Sequence, residues 1–322
     1  MKRKLNETLF TDIYIGEHYM EVKGLFGAGV LLAPAPDDIL EDINELKDVC
    51  YSKHNESGRT EFSVRHDGVI YRVTLSKNTI GEINYVIRQT QNKIIPASEV
   101  GIPPFVLDLI VNPSTVGLVL VSGKMGVGKT TTAASVLSFR TSQAGSLSVA
   151  IEDPIETLLD GRHGDGRCIQ LEIGEHEGYS SALKKAMRMG VSNLLIGEIR
   201  DADTAHEALK ASINGMFVIA TIHANSIIDA IERFDILCSE KNTNSKSIIS
   251  RSLCAVMHQT MDYVERNGAV VDRNVNITAF HAQNENERQK IRTKISSGDF
   301  LGLNEIIKNL NQQRTNNTRG NY

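Results

Sequence analysis

The sequence predicts an α/β protein: a small α+β domain followed by a parallel sheet with helices on both faces. Three observations carry this. Beyond residue 104, strand-like and helix-like stretches alternate, as the βα units of a parallel sheet do. One of those units places Gly123, Gly128, Lys129 and Thr130 in the G-x-x-x-x-G-K-[ST] spacing of a phosphate-binding loop. Pro96, Gly101, Pro103 and Pro104 crowd the stretch Gln91 to Pro104, which reads as a linker. The chain therefore divides into residues 1–95, residues 96–310 and a polar, Asn-rich tail at 311–322 that is expected to be disordered.

In chain order, Ile13 to Ile15 and Tyr19 to Val22 flank Gly16-Glu17, a hairpin signal. Asp38 to Tyr51 carries Ile39, Ile43, Leu46 and Val49 at helical spacing. Glu61 to Arg65, Val69 to Leu75 and Ile83 to Thr90 alternate as strands do; Val69, Tyr71, Val73 and Leu75 share the apolar face, so Arg72 points to the other, and Arg88 likewise opposes Ile87. A helix at Phe105 to Val111 precedes the apolar strand Leu118 to Val121, the glycine loop and a helix over Thr131 to Phe139. Further strands are expected at Ser146 to Ile151, Leu194 to Gly197 and Phe217 to His223. Ser226 caps a helix bearing Ile227, Ile231, Phe234 and Leu237, and two more helices are expected near Ile248 to Met261 and Asn304 to Leu310.

Bulk properties narrow the class. A net charge of -4 and an aromatic content of 5% without Trp argue against a nucleic-acid binder. No apolar run approaches membrane-spanning length, and the basic start Met1 to Lys4 lacks the apolar stretch of a signal peptide. Cys50, Cys168, Cys238 and Cys254 form no C-x-x-C pair, so they read as reduced, mostly buried thiols of a cytoplasmic protein without a zinc site.

The chemistry concentrates at strand ends. In Gly123, Lys124, Met125, Gly126, Val127, Gly128, Lys129, Thr130 and Thr131, backbone N–H groups converge on anionic oxygen and the following helix adds its dipole. Lys129 would reach the β- and γ-phosphates and the Thr130 hydroxyl would sit on Mg²⁺, so a nucleoside triphosphate is the expected ligand. Glu152, Asp153 and Glu156 leave the next strand, where Glu152 in particular could hold Mg²⁺ or its waters. Leu194 to Ile196 runs into Gly197-Glu198, which makes Glu198 the candidate to orient and deprotonate an attacking water; Thr204…Glu207 beyond it has the spacing of a capping box. Thr221 to Asn225 ends a third strand with His223.

Together these segments resemble the PilT family of secretion-superfamily ATPases, the hexameric motors of type IV pili and of type II and IV secretion. The family orders a P-loop, an "Asp box" (here Ile151 to Glu156), a degenerate Walker B ending in Gly-Glu (Gly197, Glu198) with Arg-Asp (Arg200, Asp201), and a "His box" (Thr221 to Asn225). Thr11 to Ile15 and Met20 to Gly24 are similar to its N-terminal strands. The resemblance implies a RecA-like ATPase domain joined flexibly to an N-terminal PAS-like domain, with ATP and Mg²⁺ bound between them. It also implies arginines of the N-terminal domain acting on the triphosphate, by motif position Arg72 and Arg88, and Arg200 joining the nucleotide site. The implied partners are further copies in a homohexamer, an inner-membrane platform protein of a pilus or secretion machine and a partner extension ATPase; the implied location is the inner face of the cytoplasmic membrane. The chain departs from the family pattern at Ser192-Asn193, where an acidic residue is usual, at Asn214 to Met216, which lacks a second histidine, and at Lys184, although Arg188 is kept.

Lys290 to Gly298 with Leu303 to Leu310 is similar in register to the C-terminal helices of retraction motors, and the chain lacks the tetracysteine subdomain of extension ATPases. The resemblance thus favours a motor of type IV pilus retraction. The alternative is a traffic ATPase of a type IVB secretion or conjugation system, of the DotB and TraJ kind. A RecA-type nucleic-acid motor and a non-hydrolysing nucleotide-binding regulator are the readings from other classes.

Overall fold

A computed structural model describes residues 3–28, 30–90, 93–174, 177–266, 269–282 and 284–319. The chain forms two compact units. The first comprises Met1–Ile94 with Glu152–Leu158 and Gln170–Gly178; the second comprises Ile95–Ile151, Leu159–Ile169 and Tyr179–Tyr322. The one cut near residue 95 expected from the linker did not anticipate the two short segments that cluster with the first unit.

The first unit contains β1 (Asp12–Ile15), β2 (Met20–Lys23), β3 (Leu32–Pro34), α1 (Leu40–Ser57), β4 (Glu61–His66), β5 (Val69–Lys77) and β6 (Ile83–Gln89). Its antiparallel sheet runs β3-β2-β1-β6-β5-β4. One face buries Ile13, Ile87, Val73, Tyr71 and Phe62 with Ile39, Ile43, Leu46 and Cys50. Cys50, not Val49, completes the helical stripe: Val49 is exposed, because position 50 continues the i, i+3, i+4 spacing from Leu46. Across the sheet, Lys23 pairs with Asp12, Asp12 with Arg88, Arg88 with Arg72 and Arg72 with Ser63. Residues directly opposite one another lie on the same face, so these five form one polar row across four strand boundaries.

The rest of the chain follows with α2 (Pro104–Val111), β7 (Gly117–Gly123), α3 (Lys129–Ala144), β8 (Leu147–Glu152), β9 (Gly161–His163), β10 (Gly166–Glu172), α4 (Tyr179–Arg188), β11 (Asn193–Ile199), α5 (Ala202–Ile213), β12 (Phe217–His223), α6 (Ile227–Ser239), α7 (Ser245–Ser252), β13 (Leu253–Arg266), β14 (Ala269–His281), α8 (Glu285–Ser297) and α9 (Phe300–Arg319), the C-terminal ends of β8 and β10 clustering with the first unit and the remainder with the second. The sheet order is β14-β13-β7-β12-β11-β8-β10-β9. Strands β13, β7, β12, β11 and β8 are mutually parallel, with β14 and β9 added antiparallel at the margins. The central strands are buried on both faces, which is why Leu118 to Val121 and Phe217 to Ala220 are unbroken apolar runs.

Three expectations fail here. Residues 248–261 do not form one helix: α7 ends at Ser252, and Leu253 opens β13, which pairs with β7. Ala255, Val256 and Met257 are all buried, and an apolar run buried on both faces has no period that separates strand from helix. The helix after Arg200 is capped by Asp201, whose Oδ1 accepts from the Thr204 N–H at 2.8 Å; Thr204 and Glu207 lie inside α5 and form no capping box. Residues 311–319 continue α9, a helix anchored by buried Leu303 and Ile307 and extended at little further cost once nucleated; residues 320–322 lie outside the described residues. Ser226, as expected, caps α6 through Asp229 N–H at 3.0 Å.

Candidate functional site

Strand β7 delivers Gly123 to the start of the loop, and Gly128, at φ 89°, turns the chain into α3. No side chain caps that helix, so the first-turn N–H groups remain available to an anion. Lys124, Met125 and Gly126 form the exposed lip, Thr130 and Thr131 are half-buried, and Lys129 is buried. The Lys129 ammonium donates to the Lys124 carbonyl at 2.9 Å, closing the loop on itself.

His223 ends β12 directly opposite Gly123 in register, and its Nδ1 lies 3.5 Å from Lys129 Nζ. On its other side, Nε2 lies 2.7 Å from Glu198 Oε1, while Arg200 Nε donates to Glu198 Oε2 at 2.5 Å. Burial, then the Lys129 charge, hold the His223 pKa below its ordinary value, so the ring is neutral at neutral pH. A neutral ring presents its Nδ1 lone pair to the lysine, while Glu198 Oε1, though close to Nε2, is buried and accepts no hydrogen bond. Lys129, His223, Glu198 and Arg200 thus lie side by side in one polar cluster. Glu198 owes its aim to a bulge: between Ile196 and Ile199 the β11 strand carries one residue more than β12 opposite, and Thr221 Oγ1 donates to the Gly197 carbonyl at 2.5 Å.

The Asp-box carboxylates belong to the first unit, with the two arginines. Arg72 Nη1 donates to Glu156 Oε1 at 2.5 Å. Arg88 grips buried Asp12 with Nε and Nη2 at 2.7 and 3.2 Å. The outward faces agree with the strand alternation, but both guanidiniums have carboxylate partners rather than standing open. Two adjacent arginines repel, and the carboxylates on either side neutralise the row. Asp153 takes Arg59 Nη2 at 2.5 Å.

Glu152, expected to hold Mg²⁺ or its waters, has protein partners for both oxygens. It is buried, its Oε1 accepts from Gln170 Nε2 at 2.8 Å, and its Oε2 accepts from the Glu156 N–H at 3.4 Å. Burial pushes its pKa up to about 7, and the Glu156 and Glu172 carboxylates add to the shift. Thr130, the other residue expected at Mg²⁺, is half-buried at the head of α3.

Sequence reasoning missed Arg59, Gln170 and Glu172. Glu172 Oε1 accepts from Ser63 N–H and Oγ at 2.9 and 2.5 Å, and Arg59 also donates to the Ile173 carbonyl. These join residues more than a hundred positions apart, and no local spacing encodes them. The departure at Asn193 has a structural role: its Oδ1 accepts from Arg140 Nε at 3.2 Å, and its Nδ2 donates to Ser146 and Ser148 hydroxyls at 2.7 and 3.0 Å.

The family described as "Type II/IV secretion system protein" matches residues 47–317. A protein of Pseudomonas aeruginosa described as "Type IV pilus retractation ATPase PilT" is 30% identical over 255 residues, covering 77% of this chain and 72% of the relative. The crystal structure of "the Pilus Retraction Motor PilT and Bound ADP" superposes with a TM-score of 0.75 at 23% identity, covering 95% of this chain and 90% of that one. The Legionella pneumophila ATPase DotB superposes with a TM-score of 0.71 at 19% identity, covering 93% and 84%. Among the described residues, no helix is long and apolar enough to cross a membrane.

Proposed function

The chain belongs to the type II/IV secretion system protein family, and from that premise we propose that it is a ring-forming ATPase motor that powers type IV pilus retraction. The observation that carries the reading is the cluster of Lys129, His223, Glu198 and Arg200 beside a glycine loop whose helix N-terminus is uncapped.

In this reading the loop N–H groups and Lys129 hold the β- and γ-phosphates of ATP, and Thr130 would hold Mg²⁺, which when bound would supply positive charge against the developing phosphate charge. Glu198 orients a water and takes its proton as the water oxygen bonds to the γ-phosphorus and the bond to the ADP oxygen breaks. His223 fixes the carboxylate from one side, and Arg200 leaves Glu198 for the nucleotide. Arg72 exchanges Glu156 for phosphate oxygens of a neighbouring copy, with Arg88, anchored on Asp12, beside it. The triphosphate then has different affinity for open and closed interfaces, which is what couples hydrolysis to movement.

The proposed assembly is a homohexamer working on an inner-membrane platform protein, peripheral at the cytoplasmic face, with an extension ATPase as counterpart. The similarity to DotB supports one second reading, a traffic ATPase of a type IVB secretion or conjugation system. Deleting the gene separates the two. Surplus surface pili with lost twitching or dispersal supports retraction; normal pili with lost DNA or protein transfer supports traffic.

A further inference from the structure

The phosphate loop is held from behind by a residue outside every motif. Gln259 lies on β13, opposite Gly123 in register, and is buried. Its side-chain Nε2 donates to the Val127 carbonyl, and its Oε1 accepts from Thr132 Oγ1 at 2.6 Å. One amide therefore ties the last bend of the loop to the first turn of α3. The glycines at both ends of the loop make room for it. A Cβ at Gly123 would lie 2.4 Å from the Gln259 carbonyl oxygen, and a Cβ at Gly128 would lie 3.1 Å from Gln259 Nε2.

From this geometry we infer that Gln259 is a positioning residue that sets the orientation of the Val127–Gly128 peptide for phosphate binding. A trans peptide directs its N–H opposite to its C=O. Fixing the Val127 carbonyl toward β13 turns the Gly128 N–H away from that strand and holds it there. That N–H is one of the loop donors offered to phosphate, and a donor fixed in advance costs no ordering when the ligand arrives. The bond needs a donor at the end of residue 259, because the group of Val127 that faces it is the carbonyl, and an acceptor beside it for Thr132. Among neutral side chains of this length, glutamine supplies both. The inference rests on the nucleotide reading of the loop and adds how its geometry is maintained.

Gln259→Glu tests it, because glutamate keeps the shape and the acceptor but donates only when protonated. Burial raises the pKa of such a carboxyl, so protonation falls within reach of mildly acidic buffers. Mg-ADP affinity is measured on the full chain at pH 8 and pH 6, with melting of the nucleotide-free protein as the check on folding. At pH 8 the Glu variant is expected to bind about tenfold more weakly than wild type, the effect of one lost buried hydrogen bond. At pH 6 it recovers most of that loss, while Gln259→Met stays weak at both. Wild-type-like affinity of the Glu variant at pH 8, or equal weakness at both pH values, overturns the inference. Should the Glu variant not fold, Thr132→Val, which removes the other end of the clamp, is expected to weaken Mg-ADP binding about threefold, and unchanged affinity overturns the inference. Wild type that fails to bind Mg-ADP overturns the nucleotide reading itself, and the inference with it.

Discussion

His223 Nε2 and Glu198 Oε1 lie 2.7 Å apart, joining the end of one central strand to a bulge in its neighbour. The ring is neutral, so it packs against the carboxylate without neutralising it, and we infer that it limits where the carboxylate can point. His223→Ala therefore removes positioning rather than nucleotide binding, and turnover is expected to fall about 10- to 100-fold with KM for ATP nearly unchanged. The pH profile supplies a second check. Because the His223 pKa is lowered, proton uptake occurs below the ordinary histidine range, and it places a cation beside Lys129. The acid limb of wild-type turnover should therefore lie at lower pH than titration of an ordinary histidine would place it. A KM effect without a kcat effect contradicts the assignment.

Glu152 makes a prediction of stability against pH. Its folded pKa is raised from 4.5 to about 7, so the folded chain binds the proton more tightly than the unfolded chain. That contribution is fully present below the unfolded value and is lost as pH rises through about 7; its size is on the order of 3 kcal/mol. Glu152→Gln removes the titration. Denaturant midpoints should therefore shift in favour of the variant between pH 5 and pH 8, and a difference that ignores pH would count against the buried carboxyl.

Arg140 is a stability prediction free of catalysis. Its guanidinium is buried, lies 4.8 Å from the centre of the Phe217 ring, and donates to Asn193 and to the carbonyls of Ile110, Asn112, Pro113 and Thr115. These contacts use all three guanidinium nitrogens and satisfy carbonyls at the end of α2 and in the turn that follows it. Arg140→Leu leaves them buried without donors, and a loss of about 3–5 kcal/mol is expected by chemical denaturation. Arg140→Lys should recover only part, since a point charge cannot reproduce the planar fork.

The motor reading predicts complementation between copies. If Glu198 and Arg72 act at one phosphate site from neighbouring subunits, Arg72→Ala and Glu198→Gln are each nearly inactive alone. Random mixing in equal amounts should restore about a quarter of the sites in a head-to-tail ring. ATPase assays on co-assembled variants read this directly, and no recovery would mean that the arginine does not act across subunits.

Legibility in the sequence followed the range of the interaction. The loop and the ends of β11 and β12 were readable because their chemistry sits within a few residues of a strand end. The faces of Arg72 and Arg88 were readable from strand alternation, but not their partners: Asp12 reaches Arg88 across a strand pair 76 residues apart, and Glu156 reaches Arg72 across 84. The strand-end position of Glu152 was readable, but not Gln170, whose amide donates to its Oε1. The hairpin of β13 and β14 was missed for another reason. Its first half is buried on both faces beside β7, where alternation disappears, and that misreading also hid Gln259.

The most direct test of the central claim is steady-state hydrolysis of Mg-ATP by the assembled protein and by its Glu198→Gln variant. The account predicts turnover by wild type and at least about a 100-fold lower rate for the variant, which still binds nucleotide, because binding rests on the loop while water activation rests on the carboxylate. A wild-type protein that hydrolyses ATP no faster than Glu198→Gln would contradict the account and leave a nucleotide-binding regulator in its place.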